Sequence, residues 1–155
     1  MAKKSAGLLV FRERAGSLEV LLVHPGGPFW RNKDAASWSI PKGEFGDDEQ
    51  PLDAARREFE EETSLRVDGP FLPMLPLRQR SGKLVHAWAV RQDLDLAGFK
   101  SNTFSLEWPT GSGNVREYPE ADRAAWFDLE AAREKILPGQ AGFLDQLVER
   151  VKAGG

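Results

Sequence analysis

The chain has 155 residues, 41% of them hydrophobic and 29% charged, the size and composition of one soluble domain that buries about two-thirds of its unfolded surface. Cysteine is absent, which excludes a disulfide framework, a zinc-thiolate site and a cysteine nucleophile. The net charge of −3, from 21 basic and 24 acidic residues, argues against a broad grip on a nucleic-acid backbone and leaves room for a small anionic ligand.

Lys3 and Lys4 precede an apolar run at 6–11 that is too short for the core of a signal peptide. No stretch approaches the roughly 20 apolar residues of a membrane helix, so a cytoplasmic protein without membrane contact is expected. Residues 5–11 and 18–24 are β-rich runs split by a polar segment with Gly16, a hairpin or a pair of neighbouring strands. His24-Pro25-Gly26-Gly27-Pro28 forbids regular structure and opens a loop to Ala36, followed by a short strand at 38–40. Over 51–63 the pattern is helical: Pro51 suits the first turn, and Leu52, Ala55 and Phe59 form one apolar stripe. Residues 65–67, 71–80 and 83–91 read as strands with a turn at Ser81-Gly82, and Pro70, Pro73 and Pro76 confine the middle one to an edge or an irregular path. Within 98–118 a strand is expected at 103–108, then a Pro-Thr-Gly-Ser-Gly loop. A last strand at 124–127 leads to Asp128, which caps a short helix through Lys135. Phe143, Leu144, Leu147, Val148 and Val151 mark a C-terminal amphipathic helix. Strands with interspersed helices and no composition break describe a single α/β layered domain over 1–155.

The chemistry concentrates at Gly43, Glu49 and the run Arg57-Glu58-Phe59-Glu60-Glu61-Glu62. At about 100° per helical residue, Glu61 falls about 60° to one side of Glu58 and Glu62 about 40° to the other, whereas Glu60 lies about 160° away. Like charges so spaced destabilise an isolated helix by about 0.2–0.5 kcal/mol per pair. A hard divalent cation offsets this, because Mg²⁺ takes carboxylate oxygens and keeps positions open for phosphates. Arg57 flanks Glu61 and can orient a carboxylate through its planar fork. The ordinary alternative is a solvated charged helix face.

Together these residues resemble the Nudix hydrolase signature: Gly, five residues, Glu, seven residues, then Arg-Glu-apolar-any-Glu-Glu-any-Gly-apolar. Every fixed position matches except the second glycine, which is Ser64, where glycine normally takes a left-handed turn. The resemblance implies an α/β/α sandwich with a mixed β-sheet between helices. It also implies a pyrophosphohydrolase that uses Mg²⁺ or Mn²⁺ to cleave a nucleoside diphosphate linked to another group, most like the MutT-like nucleoside triphosphate enzymes. On that resemblance Glu58 and Glu62 are the principal metal ligands, the Gly43 carbonyl is a backbone ligand, and Glu61 bridges metals or acts on the water. Glu49 becomes an accessory ligand, and the general base comes from the helix or from a later loop, where Glu117 and Glu120 are the candidates.

Pro41-Lys42-Gly43 looks like the diadenosine and diphosphoinositol polyphosphate hydrolase branches and gives Lys42 a phosphate to hold. Residues 78–83 lack the proline and the tyrosine that mark ADP-ribose hydrolases and bacterial-type diadenosine polyphosphate hydrolases. Trp30, in a Gly/Pro-rich loop read as a flap over the substrate, is favoured over Phe29, Trp38 and Tyr118 to stack on a nucleobase. His24 and His86 are read as structural. The competing function is a catalytically silent Nudix-fold nucleotide-binding or regulatory module; such modules usually lose box glutamates, and this chain retains all of them.

Overall fold

Strand β1 (Lys4–Arg14) is the spine of the computed structural model, which describes residues 3–153. It turns into β2 (Ser17–Pro25) through Ala15 and Gly16, both at positive φ, and the two strands pair antiparallel from Phe11↔Val20 to Arg14↔Ser17. Positive φ at both central residues gives the turn a twist that matches the strands. The N-terminal part of the same edge of β1 pairs antiparallel with β3 (Lys42–Glu44). On its other edge β1 runs parallel to β6 (Leu84–Arg91), and this pairing makes the sheet mixed. Strand β9 (Ala121–Asp128) lies antiparallel on β2, while the two-residue strands β4 (Leu72–Pro73) and β5 (Leu77–Arg78) both pair with β6. A separate ribbon is formed by β7 (Thr103–Glu107) and β8 (Val115–Pro119).

Because side chains alternate across a strand, β1 feeds two cores. Ala6, Leu8 and Val10 point to the face covered by α1 (Pro51–Thr63), where Ala54, Ala55 and Phe59 meet them. Leu9 and Phe11 point to the opposite face, packed by Ala132 of α2 (Leu129–Lys135) and by Phe143, Leu144 and Leu147 of α3 (Ala141–Lys152). Burial of each large side chain contributes about 1.5–3 kcal/mol. The result is the α/β/α sandwich with a mixed sheet that the resemblance implied. Asp128 caps α2 as expected, its carboxylate accepting the Ala131 N–H at 2.8 Å.

Several expected elements differ. The strand at 38–40 is reduced to lone bridges, Val23↔Ser39 and Trp38↔Ile136, because the Ile40 N–H goes to the Gln140 side chain and Pro41 has no donor to continue. The run 65–67 is irregular: the left-handed Ser64 redirects the chain, and the Leu65 N–H and the Arg66 carbonyl are taken by Thr63 and Gln92 side chains. The run 71–80 survives as β4 and β5 only, separated by Met74, Leu75 and Pro76. The Leu75 N–H and carbonyl bond instead to the Gln146 amide. Strands β3 and β8 were not expected, since Lys-Gly-Glu and Val-Arg-Glu-Tyr-Pro carry little apolar alternation. Among the described residues, no helix is long and apolar enough to cross a membrane.

Candidate active site

Gly43 lies in β3, opposite Ala6 of β1, directly beneath α1. A Cβ built on it would stand 2.0 Å from the carboxyl carbon of Glu58, so only glycine leaves room for that carboxylate to lie against the strand. Glu58 and Glu62 are turned inward, while Glu60 is exposed and pairs with Arg66 at 3.5 Å. Glu61, between the two faces, is half-exposed.

Arg57 organises the outer side of the cluster. Its Nε and Nη2 donate to the two oxygens of Glu49 at 2.8 and 2.9 Å, and its Nη1 donates to Glu58 at 2.8 Å and to Glu61 at 3.0 Å. The Glu49 carboxylate is thereby taken up by the guanidinium, which holds it below its ordinary value, and Glu49 does not line the cleft that holds the other glutamates.

The end of α1 shows what Ser64 does. Ser64 adopts φ 61° and ψ 16°, its N–H reaches the Glu60 carbonyl at 2.8 Å, and its hydroxyl donates to the Lys100 carbonyl at 2.5 Å. The segment it grips lies along the open carbonyls of the helix: the Lys100 N–H bonds to Thr63 O and the Asn102 N–H to Glu61 O, each at 2.9 Å. The Glu120 N–H then donates to the Asn102 carbonyl at 2.8 Å. Helix-end carbonyls need such partners, and satisfying them carries Glu120 across to face the helix acids.

The cleft has a volume of about 460 Å³ and is lined by Gly43, Glu58, Glu61, Glu62, Glu120 and Lys42, among others. Burial, followed by the charges of Glu58 and Glu120, pushes the Glu62 carboxyl up to about 8; Lys42 opposes the shift. Burial likewise raises Glu58 against the pull of Arg57 and, with the nearby Glu61 charge, raises Glu120. The Lys42 ammonium is lowered by burial and by Lys83. Among the described residues, two buried side-chain polar atoms have no hydrogen-bond partner, Ser5 Oγ and Glu62 Oε2. Both residues line this cleft.

Such orphan atoms are costly, about 1–3 kcal/mol each and more when charged. As the side chains stand, no three carboxylates among the described residues close around one point, and Glu58 and Glu61 share the Arg57 guanidinium. The donor set nevertheless fits a hard divalent cation: carboxylate oxygens, one of them orphaned, and a glycine cradle that leaves the Gly43 backbone open to the cleft.

A smaller cavity of about 240 Å³ adjoins the cleft, sharing Lys42, Glu62 and Glu120 and walled by Trp30 and Leu137. Sequence reasoning missed Lys83, Ser5 and Asn102. Lys83 lines the cleft and donates to Glu44 at 2.8 Å; only the parallel pairing of β1 with β6 brings it there. Glu117 accepts the Thr103 hydroxyl on the β7–β8 ribbon, and Tyr118 packs on Phe104, so neither reaches the cleft. His86 lies edge-on to Phe45.

A family model described as NUDIX domain matches residues 1–147. The chain is 31% identical over 150 residues to an octanoyltransferase of Myxococcus xanthus, covering 97% of this chain and 37% of that protein. It is 34% identical over 68 residues to an RNA pyrophosphohydrolase of Bartonella henselae, 41% of this chain and 36% of that one. It therefore spans little more than a third of the length of these curated relatives. A solved Ap4A hydrolase from C. elegans has a similar fold, with TM-score 0.65 and 22% identity over 99% of this chain and 100% of that one. The NUDIX domain of Shewanella oneidensis NrtR, solved with ADP ribose, gives 0.68 and 16% over 97% and 89%. With the signature residues gathered under α1 and the family model spanning nearly the whole sequence, the chain belongs to the NUDIX domain family.

Proposed function

We propose that this chain hydrolyses a diphosphate bond in a nucleoside diphosphate linked to another group, a nucleoside triphosphate or a dinucleoside polyphosphate, with Mg²⁺ or Mn²⁺ as cofactor. The observation that carries the reading is the single cleft in which both orphaned polar atoms, Ser5 Oγ and Glu62 Oε2, lie among five glutamates and a half-buried lysine, Lys42. The names of the C. elegans Ap4A hydrolase and the Bartonella henselae RNA pyrophosphohydrolase support the same reaction class. The transfer reaction in the name of the Myxococcus xanthus relative is not assigned to this chain, which matches 37% of that protein.

Glu58, Glu62 and the Gly43 carbonyl would hold the metal, with Glu61 completing the set; a bound divalent ion supplies charge neutralisation at phosphate oxygens and a more acidic water. The protein side chains do the rest. Arg57, anchored on Glu49, orients Glu58 and Glu61. Lys42 offers a point charge to a second phosphate. Trp30, which walls the smaller cavity, offers its ring to a nucleobase. Glu120, which lines the cleft with the helix acids and is raised by burial and by Glu61, takes the proton of the attacking water.

The test is a panel of nucleoside triphosphates, dinucleoside polyphosphates and nucleotide sugars incubated with Mg²⁺, with products identified by mass. Metal-dependent release of a nucleotide and a phosphate-bearing fragment is expected. Tight binding of a nucleotide without any product would instead support the silent regulatory module.

A further inference from the structure

His24 is fully buried at the end of β2, and the mechanism above does not use it. Its Nδ1 lies 2.8 Å from a carboxylate oxygen of Asp122, and its Nε2 lies 2.5 Å from the backbone carbonyl of Lys33. A carbonyl only accepts, and Asp122, partly exposed and 3.6 Å from the Arg123 guanidinium, also faces the ring as an acceptor. A neutral imidazole has one N–H, so it can serve only one of these partners. Two bonds require the imidazolium.

The Lys33 end of this bridge governs the loop over the substrate cavity. The Lys33 N–H donates to the Trp30 carbonyl at 2.9 Å. Its ammonium lies 3.7 Å from the ring centre of Phe29 and 5.3 Å from that of Trp30, and those two rings meet edge-to-face. Trp30 in turn walls the cavity that opens onto Glu62 and Glu120. The other end of the bridge belongs to β9, two residues beyond Glu120, whose carbonyl accepts the Gly26 N–H at 3.0 Å. Trp38 also lies against the ring, edge-on at 5.3 Å, and its indole N–H is held by Asp34, itself paired with Lys135 of α2.

We propose that His24 is a positioning residue: as an imidazolium bridging Asp122 and the Lys33 carbonyl, it pins the loop at 26–36 so that Trp30 stays in place as the wall of the substrate cavity. The effect on substrate rests on the hydrolase reading; the pinning of the loop does not.

Two variants separate the bonds. In His24→Asn the amide nitrogen reaches only the Nδ1 position, so the Asp122 bond survives and the Lys33 bond is lost; in His24→Gln it reaches the Nε2 position and retains the Lys33 bond. Ring ¹⁵N shifts of the wild type at pH 7 are expected to show both nitrogens protonated. Amide exchange at 29–36 is expected to quicken about tenfold in His24→Asn and much less in His24→Gln. For the best nucleotide in the panel, KM should rise about tenfold in His24→Asn with kcat within about twofold. A singly protonated ring at pH 7 beside a protected loop overturns the proposal, as does a folded His24→Asn with unchanged exchange. The ring shifts are read on the wild type and decide the matter even if neither variant folds. If no nucleotide is turned over, the hydrolase reading fails, while the shift and exchange measurements still judge the pin.

Discussion

Glu62→Gln should make the metal-free protein more stable, and the size of the effect follows from the cleft. The Glu62 carboxyl moves from its ordinary 4.5 to about 8 on folding. Below pH 4.5 both folded and unfolded chains keep the proton, and the contribution to stability is fully present. Between 4.5 and about 8 the unfolded chain releases the proton while the folded chain retains it. Stability therefore falls by about 1.4 kcal/mol per pH unit, reaching about 3 kcal/mol of loss at pH 7, with little further loss above 8. Glutamine has the same shape, does not ionise and still accepts the Lys42 backbone N–H. In the presence of a chelator, urea unfolding from pH 5 to 8 should show a steep decline for the wild type. The decline should be shallower for Glu62→Gln, with a residual slope from Glu58 and Glu120. Excess Mg²⁺ should narrow the gap, adding about 2.7 kcal/mol to the wild type at a hundred times the dissociation constant and much less to the variant. Parallel stability profiles for the two proteins would refute the argument from desolvation.

Gly43→Ala should lower metal affinity about 10–100-fold, read by metal titration calorimetry, because the new methyl occupies the place of the Glu58 carboxylate; an unchanged affinity would remove the cradle from the site. Ser64→Gly should be nearly neutral in urea unfolding, since it relieves about 1 kcal/mol of left-handed backbone strain and loses a hydrogen bond of similar worth. Ser64→Ala keeps the strain and should cost about 1 kcal/mol, and equal stability of Ser64→Ala and wild type would show the hydroxyl tie to be idle. Glu60→Gln should keep kcat/KM within about twofold, while Glu58→Gln loses about 10²-fold or more; equal losses would refute the helical phase. Glu120→Gln should lower kcat by about 10²–10⁴-fold with unchanged Mg²⁺ dependence, whereas Glu61→Gln should be partly rescued by added metal. A fully active Glu120→Gln, with Glu61→Gln slowed and deaf to added metal, would make Glu61 the base.

The signature helix was legible because its two periodicities coincide. The apolar stripe of Ala55 and Phe59 fixes which face is buried, and that fixes where Glu58 and Glu62 point and why Glu60 turns away. Arg57 was legible as a partner of Glu61, but its doubly bonded hold on Glu49 depends on how the 44–50 loop returns to the helix, which no local pattern encodes. Strand β3 was hidden because three residues of low β propensity pair only through the register that β1 imposes. Lys83 was hidden for a related reason, since parallel neighbours are distant in sequence. Ser64 departs from the signature in composition and not in geometry: it reaches the left-handed conformation, and its hydroxyl reaches a carbonyl that glycine would leave without this donor.

That hydroxyl tie belongs to a longer chain of dependence. Catalytic roles placed on α1 alone would survive any change in the 98–121 segment, yet the Lys100 and Asn102 backbone groups close the helix end and present Glu120 in the same run of bonds. The acid that faces the helix carboxylates is thus held by the helix's own terminal carbonyls, so fraying of the last turn of α1 would move Glu61, Glu62 and Glu120 together. A site that gathers Glu58, Glu62 and Glu120, each raised by burial and by neighbouring acids, gives up stability in the metal-free protein. The helix-end bonds, together with the two cores on either face of β1, are what hold those carboxylates in place against their mutual repulsion.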